Sequence, residues 1–469
     1  MAMLLSELAG GLVPPGLGRV EITGLTADSR EVAPGYLFAA LPGTQVDGAR
    51  FIEDAIAAGA VAILGPRTLP PGIGGNVPVL REDNPRKTLT LMAARFAGHQ
   101  PETVVAVTGT NGKTSVAAFV RQIWASMRLR AASMGTTGII GPEGVQSLVH
   151  TTPEPVTLHE ALNDLDRQGV THLALAASSH GLQQNRLDGV AIAAGAFTNL
   201  TRDHLDYHAD FDEYFAAKMR LFDDLLAPGA TAVINADMPE AGHIILRCRE
   251  NGLKVVSTGV AGADIKLVKQ ERDGFGQKLA IQHDRQIYNV HLPLVGAFQA
   301  SNALVAAGLV IATGGQPDNV FAALGTLEGA SGRLQLVATA DCGAPVFVDY
   351  AHTPDALENA LRSLRPYADK QLKVVFGCGG DRDAGKRPQM GAIAAEQADV
   401  CYVTDDNPRT EDPGAIRAEI IAACPGGIEV AGRAEAIERA VGSLEQGDVL
   451  LVAGKGHETG QIVAGETIP

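Results

Sequence analysis

The sequence predicts an α/β protein of three domains, and three observations carry that reading. The 469-residue chain is long enough for two to four domains. Its last third alternates strand-like apolar runs with amphipathic helical stretches, as a parallel sheet with crossover helices does. Upstream, an apolar strand at 103–107 runs into a glycine loop and then a helix, the order in which a phosphate-binding turn is built.

Taken in order, residues 66–78 form a Pro/Gly-rich passage, and Asp83-Asn-Pro85 leads into a helical stretch ending near His99. A strand signal restarts at Thr103, which sets a first boundary near residue 100. The small-residue segment Gly329-Ala-Ser-Gly332 follows a long helical region and sets the second. The expected domains are 1–99, 100–331 and 332–469. No internal repeat of roughly 20–50 residues is visible, which excludes a solenoid. In the last domain strands are expected at 346–348, 372–376, 400–403 and 449–452, with helices at 356–364, 390–397, 415–422 and 434–444. Ligands in such sheets gather at the carboxyl ends of the strands. Those ends carry Asp349-Tyr-Ala-His352, Gly377-Cys-Gly-Gly-Asp-Arg382, Thr404-Asp-Asp-Asn-Pro-Arg409 and Gly454-Lys-Gly-His-Glu458.

Composition narrows the function. With 38 Lys+Arg against 53 Asp+Glu the net charge is −15, and no basic run stands out, so a nucleic-acid partner is not expected. Phosphates must be met at local sites. The longest apolar stretch, near 303–312, is about half the ~20 residues of a spanning helix, so no membrane insertion is expected. Glu7 interrupts the apolar start, which lacks a basic region, so a secretory leader is not expected either and the cytoplasm is the expected compartment. Cys248, Cys342, Cys378, Cys401 and Cys424 are odd in number and include no Cys-x-x-Cys; they read as buried thiols rather than a disulfide or zinc framework.

The strongest motif is Thr108-Gly-Thr-Asn-Gly-Lys-Thr114, followed by Val116, Phe119, Val120, Ile123, Trp124 and Met127 on one helical face. Val107 stands where the strict G-x-x-x-x-G-K-S/T pattern has its first glycine. The context is otherwise that of a P-loop, in which Lys113 reaches the terminal phosphates and Thr114 ligates Mg²⁺.

This loop resembles the ATP loop of the Mur ligases, ATP-dependent amide-forming enzymes of peptidoglycan precursor synthesis. Thr151-Thr-Pro-Glu-Pro155, Ser178-Ser-His-Gly181, Phe197-Thr-Asn-Leu-Thr-Arg-Asp-His-Leu-Asp-Tyr-His208, Gly332-Arg333, Asp349-Tyr-Ala-His352, Asp406-Asn-Pro-Arg409 and Gly454-Lys-Gly-His-Glu458 follow in that family's order and spacing. The resemblance implies the three-domain Mur ligase architecture: a UDP-binding N-terminal domain, a central P-loop ATPase domain and a C-terminal Rossmann-like domain that brings in the amino acid. It is closest to the branch that adds the third stem-peptide residue. The implied reaction joins meso-2,6-diaminopimelate to UDP-MurNAc-L-Ala-D-Glu. A carboxylate is a poor electrophile, so ATP first makes it an acyl phosphate, with Lys113 and Mg²⁺ neutralising the charge that develops.

By the same resemblance ATP is held by Gly109, Thr110, Asn111, Gly112, Lys113, Thr114 and Ser115, and by Asn302, Arg333, Asp349 and Tyr350 near the junction of the second and third domains. Arg333 would couple closure of that junction to nucleotide binding. Lys218, by composition alone a solvated lysine, is implied to carry a CO₂-derived carbamate that serves a second Mg²⁺, with His204 aligned to the same metal. The implied catalytic set is Lys113, His204 and Lys218; the metal set is Thr114, His204 and carbamylated Lys218. Ser29, Thr44 and Gln45 are implied at the uridine end, and Thr151, Thr152, Ser178, Gln184 and Arg186 at the muramoyl-dipeptide. Asp406, Asn407, Pro408 and Arg409 are implied at the incoming amino acid, where Arg409, assisted by Arg382, would capture the distal carboxylate of diaminopimelate, and Gly454 and Glu458 its ammonium.

One departure stands out. Relatives commonly read Glu-x-Ser-Ser-His where this chain reads Ala176-Ala177-Ser178-Ser179-His180, so the carboxylate that ordinarily serves the ATP-associated Mg²⁺ is missing and an impaired copy is expected. Two alternatives stay open: a folylpolyglutamate synthetase-like amide ligase, against which the extra N-terminal region and Asp406-Asn-Pro-Arg409 speak, and a weakened nucleotide-binding scaffold, supported by Ala176 alone. Small-molecule substrates and a monomeric state are expected.

Overall fold

The computed structural model describes residues 2–11, 13, 18–43, 47–201, 207–208, 210–458 and 460–468. Its residues divide into two compact units, Met1–Ala106 with Leu129–Ala193 and Ala217–Ala230, and Val107–Arg128 with Ala194–Ala216 and Thr231–Pro469.

In the first unit the strands Gly24–Thr26, Tyr36–Ala39, Ala62–Pro66 and Val79–Glu82 pair in parallel in that order. Parallel strands covered on both faces read as unbroken apolar runs, and the two-residue period sorts their side chains. Leu37, Ala39 and Leu64 share a core with Leu89 and Met92 of helix Pro85–Ala97, while Phe38 and Ile63 pack with Ile52 and Ala55. The helix starts where Asn84 Oδ1 accepts from the Lys87 N–H at 3.0 Å, with Pro85 in its first turn, and it stops at Gly98 with φ 83°. The same unit pairs Gly144–Gln146, Gly138–Gly141, Ala131–Gly135 and His172–Ala176 in that order, the last pair parallel.

In the second unit the strands Ile192–Phe197 (from Ala194 on), Thr231–Asn235 and Lys254–Gly259 run parallel. An antiparallel meander, Ile265–Asp273, Gly276–His283 and Gln286–Leu292, extends them. Helix Ala297–Ala312 contains the apolar run 303–312, and its residues from Ala303 to Val310 are buried. It packs against helix Lys113–Ser126 and strand Lys254–Gly259. No helix among the described residues is long and apolar enough to cross a membrane.

The C-terminal sheet has the order Gln335–Thr339, Pro345–Asp349, Val449–Ala453, Leu372–Phe376, Val400–Val403, Ile428–Glu429. The expected parallel strands are all present, but an antiparallel edge strand, Gln335–Thr339, joins them, so the sheet is mixed. That strand is mostly exposed, and its short apolar run Leu336-Val-Ala338 lies at the sheet edge rather than in the core. Helices Pro354–Leu364, Lys386–Gln397 and Pro413–Ala422 bury Leu357, Leu361, Met390, Ala394, Ile416 and Ile420 in one core, and Arg433–Gly442 buries Ala436 and Ala440 in another. Four of the cysteines are buried thiols as expected; Cys342 is only partly buried.

Candidate active site

Strand Thr103–Thr108 gives way to Gly109 at φ 139°, and Gly112 at φ 86° opens helix Lys113–Ser126. Only glycine fits either position: a Cβ at Gly109 would collide with Thr198 Oγ1, and one at Gly112 with Asn302 Oδ1. The segment 198–201 holds the loop in shape. Thr198 Oγ1 donates to Asn111 O at 2.6 Å, the Asn111 N–H to Asn199 Oδ1 at 2.8 Å, and Thr110 Oγ1 to Thr201 O at 3.1 Å. Gly112 offers no capping side chain, so an anion is the natural cap for the first turn. Lys113 Nζ lies folded over the loop, donating to Gly109 O at 2.8 Å and Thr110 O at 2.7 Å. This cradle fits the phosphates of a nucleoside triphosphate. Among the described residues no cluster of three His, Cys, Asp or Glu could hold a metal. The buried Thr114 suits Mg²⁺ bound chiefly through phosphate oxygens and water.

A hydrogen-bonded chain leads away from the cradle. Asn302 Nδ2 donates to Gln299 Oε1 at 3.3 Å, and Gln299 Nε2 to Arg333 O at 3.1 Å. The Arg333 guanidinium lies 4.4 Å from the Tyr350 ring centroid. Asp349 accepts from the Leu334 N–H at 2.6 Å and the Ala351 N–H at 2.7 Å. Burial pushes its carboxyl up to about 6, against the opposing pull of Arg333 and the two N–H donors. Gly332, at φ 65°, sits so close to Gly456 that a Cβ would strike its backbone. The structure thus joins the expected residues Asn302, Arg333, Asp349 and Tyr350 into one connected surface, with Arg333 Nε buried and still lacking an acceptor.

In the first unit a second cluster forms. Thr152 Oγ1 donates to Ala176 O at 2.9 Å and accepts from the Ser178 N–H at 3.0 Å; Ser178 Oγ caps the next helix by accepting from the Gly181 N–H at 3.1 Å. Arg186, nearly buried, donates to Thr152 O at 2.6 Å and Gln184 Oε1 at 2.7 Å and pairs with Glu154 at 2.6 Å. Thr151 Oγ1 lies 3.2 Å from Thr136 Oγ1. All five expected residues lie here, together with two the sequence reading missed, Thr136 and Glu154. Ala176 ends strand His172–Ala176, buried, with its carbonyl engaged by Thr152.

The carboxyl ends of the C-terminal strands form the third cluster. Asn407 N–H donates to Asp406 Oδ1 at 2.7 Å, and Asn407 Nδ2 to Glu458 Oε2 at 3.1 Å. Asp406 Oδ2 is buried with no hydrogen-bond partner, 3.9 Å from Arg433 NH1, and a Cβ on Gly454 would crowd it at 2.6 Å. Arg409 adopts φ 53° and donates to Gly380 O at 2.7 Å; Arg382 is exposed on the neighbouring loop. Lys455, absent from the expected set although it lies inside the quoted motif, donates to Asn407 Oδ1 at 2.7 Å and Glu458 Oε2 at 2.9 Å. Burial would raise the Glu458 carboxyl, but the bonds from Lys455 and Asn407 prevail and hold it below the ordinary value.

Lys218 is not a solvated lysine: it is 1% exposed on helix Phe211–Arg220. Ser29 sits in a single helical turn capped by Asp28. Thr44, Gln45 and His204 lie outside the described residues.

Family models match three stretches: "Mur ligase family, catalytic domain" at residues 21–97, "Mur ligase middle domain" at 107–310 and "Mur ligase, glutamate ligase domain" at 332–456. A UDP-N-acetylmuramoyl-L-alanyl-D-glutamate--2,6-diaminopimelate ligase of Bradyrhizobium diazoefficiens is 54% identical over 473 residues, covering 100% of this chain and 97% of the relative. A solved structure bearing the same enzyme name is 33% identical with a TM-score of 0.74 and covers 100% and 96%. A folylpolyglutamate synthase of Mycobacterium tuberculosis, complexed with ADP and AMPPCP, shares the fold at 20% identity and TM-score 0.65, but reaches 79% of this chain and 92% of its own. A phosphate cradle inside a matched middle domain, flanked by matched domains on either side and by full-length likeness, leaves one conclusion: the chain belongs to the Mur ligase family.

Proposed function

We propose that this chain is an ATP-dependent ligase that joins meso-2,6-diaminopimelate to UDP-MurNAc-L-Ala-D-Glu, acting in the cytoplasm on peptidoglycan precursors. Full-length similarity to ligases named for this reaction carries the reading. It fits the three-domain division at 1–99, 100–331 and 332–469, and the folylpolyglutamate alternative has no counterpart for about a fifth of the chain, the complement of the 79% covered.

The residues supply the chemistry as follows. Lys113 leaves the loop carbonyls for the terminal phosphate and neutralises it as the dipeptide carboxylate attacks. Asn302, Arg333, Asp349 and Tyr350 orient the nucleoside. Ser29, with Thr44 and Gln45, takes the uridine end. Arg186 exchanges Glu154 for a substrate carboxylate, which its planar fork can bind bidentately, while Thr151, Thr152, Ser178 and Gln184 fix the peptide. Arg409 and Arg382 take the distal carboxylate of the incoming amino acid; Gly454, Glu458 and Asn407 take its ammonium. Mg²⁺ would be held by Thr114 and the phosphates and would spread the phosphoryl charge. Lys218 is buried, and the carbamate proposed for it, an anion, would serve a cation, with His204 as partner. Ala176 lowers the activity by removing one metal carboxylate.

The test is phosphate release from ATP with UDP-MurNAc-L-Ala-D-Glu and either meso-diaminopimelate or L-lysine. Release with the first and not the second is expected; preference for lysine, or release with neither, would overturn the reading.

A further inference from the structure

The two arginines assigned to the distal carboxylate sit on separate loops, 377–382 and 404–409, each beside a strained residue. Asp381, just before Arg382, has φ 54°, and Arg409 itself has φ 53°. Left-handed backbone at non-glycine positions persists only where surrounding contacts over-determine it. Here those contacts form a reciprocal staple. The Asp381 N–H donates to Glu411 Oε1 at 2.5 Å, while the Asp381 carboxylate accepts from the Thr410 N–H at 3.1 Å and from Thr410 Oγ1 at 2.8 Å. Two more bonds tie the same loops, Gly380 N–H to Asn407 O at 2.9 Å and Arg409 NH1 to Gly380 O at 2.7 Å.

Behind the staple stands Arg387, 2% exposed, on helix Lys386–Gln397. Its NH2 donates to both oxygens of Glu411, at 2.8 and 2.7 Å, and its NH1 to Glu419 of helix Pro413–Ala422 at 3.3 and 3.2 Å. A guanidinium this buried is retained only with its charge matched, and the planar fork fixes the direction of Glu411 as well as its distance. Nothing in the proposed chemistry uses Arg387, Glu411, Asp381 or Thr410 directly.

We infer that the chain Arg387–Glu411–Asp381–Thr410 is a positioning device that sets the spacing of Arg382 and Arg409, and so selects an amino acid with a carboxylate at its far end. The inference rests on the proposed role of Arg409. A carboxylate gripped from two loops tolerates little error in their separation, and misplacement by about 1 Å is enough to lose a bidentate contact.

The experiment is titration calorimetry on the full chain with ADP and Mg²⁺ present, using meso-diaminopimelate and L-lysine as probes, with ADP affinity measured separately. Asp381→Gly keeps the backbone conformation and removes the carboxylate; Thr410→Val removes the hydroxyl, and Thr410→Ser restores it. Loss of one charge-assisted bond corresponds to roughly a tenfold effect. Asp381→Gly and Thr410→Val should each weaken diaminopimelate binding about that much, leave ADP affinity within about twofold, and leave lysine unchanged. Thr410→Ser should bind as the parent does. Unchanged diaminopimelate affinity in Asp381→Gly overturns the inference, as does parallel weakening of all three ligands, the sign of general loosening. Arg409→Met separates the two levels. If it leaves diaminopimelate binding intact, the pocket reading fails and the inference with it; if it weakens binding while Asp381→Gly does not, the positioning device alone fails.

Discussion

Lys455 and Glu458 form an ion pair at 2.9 Å in the C-terminal domain, and a second bond from Lys455 to Asn407 Oδ1 at 2.7 Å ties both to the Asp406–Arg409 loop. The Glu458 carboxylate is thus already paired with a cation of the chain. Lys455 thereby orients the carboxylate proposed to receive the ammonium of the amino acid and helps keep it ionised.

Replacing Lys455 with Met removes one of the two side-chain bonds, and a neighbouring positive charge, that hold the Glu458 carboxyl below its ordinary value. A depressed carboxyl keeps its contribution above the unfolded value and loses it only as pH falls through the lower folded one. The variant's Glu458 therefore takes up its proton at higher pH than the parent's. The KM for diaminopimelate should begin to rise at a higher pH in Lys455→Met, with the KM for ATP following the parent. Superimposable KM profiles between about pH 3.5 and about pH 7, a window that brackets ordinary carboxyls, would remove Lys455 from the pocket's electrostatics.

Asp349 shifts the other way, and the consequence reverses. Its carboxyl is raised to about 6 by burial, so the folded protein holds a proton there that the unfolded chain has released. That contribution to stability is complete below about pH 4 and is lost as pH rises through 6, a span worth on the order of 3 kcal/mol. The nucleoside contact proposed for Asp349 needs the opposite, an ionised carboxylate under the influence of Arg333. ADP affinity should fall as pH drops from about 7.5 to about 5.5, through the raised Asp349 value, while stability improves. In Asp349→Asn the pH slopes of ADP affinity and of the urea midpoint should flatten over that range. Parallel slopes in parent and variant would show that Asp349 is not the group that titrates.

The sequence made some of this legible and hid the rest for identifiable reasons. The phosphate cradle is local: strand, glycines, Lys-Thr and helix lie within one short segment, so spacing alone locates it. The meander at Ile265–Asp273 is not visible, because only Ile265 and Leu267 are buried in it and the rest of the strand lacks a two-residue period. Lys218 was legible but misread on composition. Tyr214, Ala217, Lys218 and Leu221 recur at helical spacing and are all buried, so the lysine lies on the apolar stripe. Arg387, Glu411 and Asp381 come together only through tertiary pairing across three segments, which no local pattern records. Glu154 is hidden for the same reason, since its partner Arg186 lies beyond two helices and a strand in the chain.

Ala176 offers the sharpest test of how this chain departs from its relatives. The residue is 1% exposed and contributes only its carbonyl, which accepts from Thr152 Oγ1 at 2.9 Å. Glutamate there keeps that backbone bond and adds a carboxylate in buried surroundings. A buried carboxylate without a partner is destabilising, so Ala176→Glu should melt earlier than the parent in the absence of divalent cation. Mg²⁺ with ADP should reverse the order, because a ligand that binds only the folded state stabilises by mass action and the variant binds the metal better. The same carboxylate supplies an oxygen that magnesium otherwise replaces with water, and phosphate release should rise at least tenfold, about 1.4 kcal/mol of barrier. Differential melting with and without Mg²⁺·ADP reads the metal site independently of turnover. A variant whose melting shift and rate both match the parent across a Mg²⁺ titration would mean that position 176 does not serve the metal in this protein.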